Sequence, residues 1–434
     1  MMEEENLQNP IFGLYICVLK FKYTTNMKNL FATIIQKLGT FFFPNKVQKA
    51  VSEVSKNNGN TRRLQRFLAE RFEFRYNQLT GVTEYRPQGG NAPFRPIDER
   101  EMNGMIVDAR LKGIVCWNSM VPTLVLSNKV QSYNPFQAYL ENLPAWDGID
   151  RVTPLLQRVS EDELWLKGAR CWMRAMTAQW MGLEREHANA LVPVLVSNQQ
   201  GLGKSTFCRQ ILPESLRAYY LDNLNLAPGA SPEKKLVKVG LINLDEFDKI
   251  GEKRQPDLKN LLQMMSVPVY RGKRLGYVTE PRLASFIATT NSRQILSDPT
   301  GSRRFLCVEV TRMISGEPIA HKQLYAQLKQ EVLNGERDYL NKDEEKTVQR
   351  RNKAYYRQSP LEDVFHACYR HPEADEEGQW FTAAEMFRQM NKRNASALRG
   401  VTAKQLSYRL TAMGFKPRHT DHGNVYHVVQ MEAA

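Results

Sequence analysis

The chain predicts an α/β protein built on a mostly parallel sheet, and three observations carry that reading. A glycine-rich run, Asn198-Gln-Gln-Gly-Leu-Gly-Lys-Ser-Thr206, directly follows the apolar stretch Ala190-Leu-Val-Pro-Val-Leu-Val196. Four more short aliphatic runs recur downstream. Helix-compatible stretches and loops separate them, the alternation of a sheet covered on both faces.

Size and charge set the outer bounds. The 434 residues allow two to four domains with a substantial core, and 42% apolar with 24% charged residues is an ordinary globular balance. The formal charge of +14 favours polyanionic partners. The excess is uneven: 18 Lys/Arg against 11 Asp/Glu in residues 1–130, 33 against 26 in 131–359, and 9 against 9 in 360–434, so charge alone does not establish nucleic-acid binding. Six scattered cysteines form no C-x-x-C pair, which suits buried thiols in a reducing cytoplasm. No run reaches the ~18 apolar residues of a membrane span, and no membrane partner is expected. Acidic residues precede the apolar residues 10–19, against a signal peptide, and Met27 is an alternative start.

Residues 1–45 read as an N-terminal extension and 46–130 as a small domain. Within it Arg62–Arg71 is a basic amphipathic helix, either a solvated face or a DNA contact. Phe72–Tyr76 and Val82–Arg86 read as strands joined by a turn, and Pro87–Pro96 as a loop. Residues 131–190 form a helical lead-in. Pro135 suits a first helical position, and Ser160-x-x-Glu163 reads as a capping box. Trp165, Trp172, Met176 and Trp180 make a core stripe.

The core domain spans 191–345, with strands expected at Leu191–Ser197, Arg217–Leu221, Val239–Leu244, Ala284–Thr289 and Phe305–Val310. Residues 346–359 are a charged linker. In 360–434, two capping boxes, Thr382-x-x-Glu385 and Thr402-x-x-Gln405, open helices Ala383–Lys392 and Ala403–Met413, and a hairpin ending in Val425–Val429 follows. Helix, helix and terminal hairpin is the order of a winged helix.

The glycine-rich run is a phosphate-binding loop. Its backbone N–H groups turn inward on phosphates at dihedrals that side chains obstruct. Asn198, Gln199, Gln200, Gly201, Leu202, Gly203 and Thr206 form the cradle for ATP, Lys204 supplies charge to the β/γ-phosphates, and Ser205 suits Mg²⁺. Asn198 stands where G-x-x-x-x-G-K-[ST] has its first glycine, and Asn tolerates a left-handed backbone.

Forty residues past Lys204, Leu241-Ile-Asn-Leu-Asp-Glu-Phe247 ends an apolar strand in two carboxylates. Asp245 suits Mg²⁺ and Glu246 the proton of an attacking water, because a carboxylate tied to a cation makes a poor base. The strand ending in Ala288-Thr-Thr-Asn291 brings an amide, Asn291, to orient that water or touch the γ-phosphate. Arg303 and Arg304 follow an Asp298-Pro-Thr-Gly loop, and their guanidinium forks suit phosphoryl oxygens. Arg271, Lys273 and Arg274 alternate with Tyr270 and Tyr277 around glycines, a pattern for gripping single-stranded DNA by charge and stacking. In the tail, Lys404 and Arg409 offer a recognition helix to duplex DNA, with protein docking as the other use of that fold.

Together Gln200-Gly-Leu-Gly-Lys-Ser-Thr, Leu244-Asp-Glu, Ala288-Thr-Thr-Asn and Gly301-Ser-Arg-Arg-Phe resemble the virulence-associated protein E family, ATPases of phages, plasmids and pathogenicity islands similar to superfamily 3 helicases and the AAA+ class. Asn134-Pro and Trp146-Asp-Gly-Ile-Asp-Arg151 resemble its lead-in segment, and the tail resembles the extra domain of Bacteroidetes members. The resemblance covers roughly residues 130–345. It implies an additional-strand P-loop NTPase core, the roles above for Lys204, Ser205, Asp245, Glu246 and Asn291, and a ring, a hexamer, in which Arg303 or Arg304 completes a neighbour's site. The function expected is a DNA-dependent ATPase of mobile-element replication, a helicase or helicase loader working with host replication proteins. A P-loop small-molecule kinase and a non-catalytic DNA-binding organiser are the alternatives.

Overall fold

The computed structural model describes residues 59–431 apart from 252–253, 273–275, 298, 358–359, 374–375 and 422. The extension 1–45, the alternative start Met27, and Lys273 and Arg274 lie outside the described residues. The chain divides into two compact units, Met1–Tyr133 and Asn134–Ala434.

In the first unit, residues 59–71 are helical and bury Leu64, Phe67 and Leu68, which turns Arg62, Arg63 and Arg66 to solvent. The expected hairpin is present as β1 (Phe72–Asn77) and β2 (Val82–Pro87), paired antiparallel. The stretch expected as a plain loop ends instead in a two-residue edge strand, β3 (Arg95–Pro96), beside β2. A fourth short strand, β4 (Ser132–Tyr133), runs parallel to β1.

The second unit opens with α1 (Pro135–Glu141), capped by Asn134 with proline in its first turn. The long helix α2 (Glu163–Met181) buries Trp165, Trp172, Met176 and Trp180. Its cap is Asp162, whose carboxylate accepts from the Trp165 N–H. Ser160 does not cap it: its hydroxyl accepts from the Asp162 N–H in a tight turn, so the helix starts two residues later than the Ser-x-x-Glu spacing suggests. Against α2 packs α3 (His321–Leu333), and buried Glu331 there pairs with Arg170 and Arg174.

The central sheet has five strands: β5 (Val192–Val196), β6 (Tyr220–Asp222), β7 (Leu241–Leu244), β10 (Ser285–Thr290) and β11 (Phe305–Glu309), counting the hairpin strands β8 (Ser266–Tyr270) and β9 (Tyr277–Pro281) between them. Their order is β11-β5-β10-β7-β6, and every neighbouring pair is parallel. The strand expected at Arg217–Leu221 is the exception in position. Glu214–Tyr219 is a 3-10 helix and only Tyr220–Asp222 joins the ladder, at an edge with one neighbour. The core under the sheet is apolar, with Val194, Ile242, Phe286 and Ala288 fully or almost fully buried. Arg282, at the root of the β8–β9 hairpin, is also buried, and its guanidinium donates to the carbonyls of Ala284, Leu262 and Asn189. Burial pushes it down to about 9.

The tail has its own core around Phe365, Tyr369, Leu406, Leu410 and Tyr426. Both expected capping boxes form, at Thr382 and Thr402. The hairpin is β14 (Arg418–Thr420) with β15 (Gly423–Gln430); two strands not expected from sequence, β12 (Tyr369–Arg370) and β13 (Gln379–Thr382), also pair antiparallel with β15. No helix among the described residues is long and apolar enough to cross a membrane.

Candidate nucleotide site

Because all five strands run the same way, their C-terminal ends share one edge, and the residues that follow them converge there. After β5 the loop turns through Gly201 and Gly203, both left-handed at φ 78° and 81°. A side chain would strain both positions, which is the physical reason for glycine there. Asn198 has no positive φ, so its tolerance of left-handed backbone is not used. Asn198, Gln199, Gln200, Ser205 and Thr206 are exposed, whereas Lys204, at the start of α4 (Lys204–Gln210), is 7% exposed.

The Lys204 ammonium donates to Asn291 Oδ1 at 2.9 Å and to the Gln199 carbonyl at 3.3 Å. Burial pushes it below its ordinary value, and the Asp245 carboxylate pulls it partly back. Ser205 Oγ donates to Asp245 Oδ1 at 3.2 Å, and Thr289 donates to the same oxygen. The structure therefore joins the loop, the acidic strand end and the Thr-Thr-Asn strand end in one connected cluster. β10 lies between β5 and β7, so Thr289 and Asn291 reach both neighbours.

Glu246 is exposed and sits at φ 52°, ψ 48°. Among described non-glycine residues only it and Asn223 have positive φ. Left-handed backbone costs a side-chain residue ~1–2 kcal/mol. Lys249 holds its carboxylate at 2.6 Å.

Several residues of this edge were missed from sequence. Thr290 donates to Asp248 at 2.7 Å, and Arg357, from the segment expected as a linker, donates to the Asp248 and Ile250 carbonyls. Arg209 pairs with Asp222 at the end of β6. A cleft of about 270 Å³ beside α4 is lined by Ser205, Thr206, Arg209, Gln210 and Arg217. The Thr-Thr before Asn291 was a visible signal; Arg209 and Arg217 had none.

Other predicted residues are not brought to this cluster. Pro299–Arg304 is a 3-10 helix instead of an open loop, and it leads into the N-terminal end of β11. Phe305 is level with Val192 and Glu309 with Val196, so Arg303 and Arg304 sit at the opposite edge of the sheet, ~16 Å along a five-residue strand. Arg303 pairs there with Glu345 at 3.0 Å. Arg271 pairs with Glu280 across the β8–β9 hairpin at 2.5 Å, and Tyr270 and Tyr277 are exposed with ring centroids 5.4 Å apart. In the tail helix Ala403–Ala412, Lys404 is exposed, but Arg409 is turned inward, 16% exposed, and pairs with Glu362.

Residues 140–357 match the virulence-associated protein E-like domain, half of the chain, and the protein belongs to that family. Residues 358–428 match a domain of unknown function described from B. Theta, DUF3874. Among curated proteins none matches. Among solved structures the chain is similar to the apo structure of the NrS-1 C-terminal region, with TM-score 0.41, 10% identity, and coverage of 85% of this chain and 98% of that one. A second, A-form apo structure of that region gives 0.40, 12%, 85% and 98%.

Proposed function

We propose that the protein is an ATP-hydrolysing, nucleic-acid-dependent motor or loader serving replication of a mobile element, built on an additional-strand P-loop core with a winged-helix tail. The observation that carries this is the single cluster of Lys204, Asn291, Ser205, Asp245 and Thr289, which joins three motif segments through direct hydrogen bonds. The insertion of β10 between β5 and β7 supports the additional-strand reading. The tail order of helix, two short strands, two helices and hairpin supports the winged helix.

The donors fit a nucleotide. The left-handed glycines free backbone N–H groups toward phosphate oxygens, and the buried Lys204 is fixed by Asn291. Ser205 and Asp245 already meet, and would hold Mg²⁺, which supplies positive charge to the phosphate oxygens. Glu246, exposed beside them, accepts the proton of the attacking water once its exposed pair with Lys249 opens. Asn291 contacts Lys204 directly, so it senses the group that grips the phosphate. The placement of Arg303 and Arg304 at the far sheet edge supports their supply to a neighbouring subunit in a ring.

Phosphate release from Mg-ATP, with and without single-stranded DNA, tests this. Release stimulated by DNA is the expected result. No release with DNA binding intact points to a non-catalytic organiser, and ADP formed without phosphate release in the presence of a small-molecule acceptor points to a kinase.

A further inference from the structure

The outer face of the tail's sheet carries a stacked set of side chains that the nucleotide site does not use. Alternation along β15 buries Tyr426 and Val428, which sends His427 to the opposite face. Trp380 lies directly across from it in the ladder, ring centroids 4.8 Å apart and planes 21° from parallel. The Arg418 guanidinium lies 5.5 Å from the centre of the Trp380 ring. It makes no ion pair among the described residues. Gly378 gives the imidazole its seat, since a Cβ there would lie 2.7 Å from His427 Nε2. Trp380 nonetheless stays 46% exposed, although this domain buries Phe365, Tyr369 and Phe415 in its core.

We propose that this face binds single-stranded nucleic acid by stacking an unpaired base on Trp380. The guanidinium is a planar cation on a flexible stem, so it fills the ring face in the free protein and moves outward to cover a base. A planar, exposed ring needs a base that is already unstacked, which selects a single strand over a duplex. The helix expected to read duplex DNA offers less, because Arg409 is spent on Glu362. The proposal rests on the nucleic-acid part of the function above and not on its ATP part.

The test uses the full chain with dT and rU oligonucleotides and a duplex of equal length. Base–aromatic stacking of about 1–3 kcal/mol predicts that Trp380→Ala binds dT and rU about five- to a hundredfold more weakly. Trp380→Phe should keep most of the affinity, and duplex binding should not change. Arg418→Ala should weaken single-strand binding and lower its salt dependence. Should Trp380→Ala fail to fold, dT should still quench wild-type tryptophan fluorescence and leave that of Trp380→Phe unquenched. Equal dT binding by Trp380→Ala and wild type, or an unquenched wild type, overturns this proposal alone. A wild-type chain that binds no single strand overturns the nucleic-acid reading as well, while its basal ATP hydrolysis decides the nucleotide reading independently.

Discussion

Ser205 and Asp245, forty residues apart in sequence, meet at 3.2 Å. One belongs to the helix after the loop and the other to the end of a strand two places away in the sheet. A hydroxyl and a carboxylate converging from separate elements are suited to one shared cation. Asp245→Asn should therefore lose hydrolysis by about a hundredfold or more, with the loss not recovered at high Mg²⁺. Ser205→Ala, which removes a neutral ligand, should recover in part. A Mg²⁺ titration of both variants with wild-type midpoints would remove the metal assignment.

Gripping the phosphate and activating water are separate jobs in the proposed mechanism. Lys204→Ala should abolish nucleotide binding, while Glu246→Gln should bind ATP and not turn it over. The left-handed backbone of Glu246 adds a sharper comparison. Glu246→Gly should be inactive yet more stable by about 1 kcal/mol, because glycine relieves the strain that Gln retains. Denaturant titrations of the two variants, with ATPase rates, check this; equal stabilities would mean that the strain is not there.

Arg303 and Arg304 lie at the opposite edge of the sheet from the Lys204 cluster, and the proposed ring assigns one of them to a neighbour's site. On the proposed ring, Ala in place of one of the two arginines should leave ATP binding near normal and lower hydrolysis by about a thousandfold. Mixing that variant with Glu246→Gln should restore part of the activity, since a wild-type arginine then meets a wild-type glutamate. Full activity from a monomer at any concentration would exclude a shared site.

Acid should loosen the junction of α2 and α3. Burial alone would raise the Glu331 carboxyl, but hydrogen bonds and charge from Arg170 and Arg174 hold it below the ordinary 4.5. Its contribution is complete above that value and is lost as pH falls through the lower folded value. Glu331→Gln should cost about 3 kcal/mol at neutral pH and flatten the acid limb of stability. Melting temperatures of both proteins from pH 7 down to 3 provide the check.

Much of the strand-end cluster was legible because the residues of each motif are contiguous in sequence. Asp245 and Asn291 follow the ends of apolar runs, Lys204 and Ser205 follow the glycine-rich loop after another, and a parallel sheet brings such ends together without further instruction. Less visible were features set by neighbours instead of sequence. Nothing local distinguishes Asp162 from Ser160 as a cap, and an edge strand such as Tyr220–Asp222 needs only three residues because one ladder holds it. Arg409 sits at a position suited to base contacts, yet Glu362 on another helix decides where its side chain goes. β13 was hidden because it is only four residues long and ends in a helix cap.

Arg282 fixes the mechanics of the β8–β9 hairpin. Its guanidinium is held by carbonyls from the end of the preceding helix, from the lead-in at Asn189 and from the start of β10. Sliding the hairpin root would leave a cation in the interior without acceptors, so the root acts as a fixed pivot. A force on the exposed tyrosines must then bend the arm or be felt first by β10, the strand whose far end holds Asn291 against Lys204. The hairpin root and the Lys204–Asn291 contact are in this sense tied to the two ends of one strand, β10.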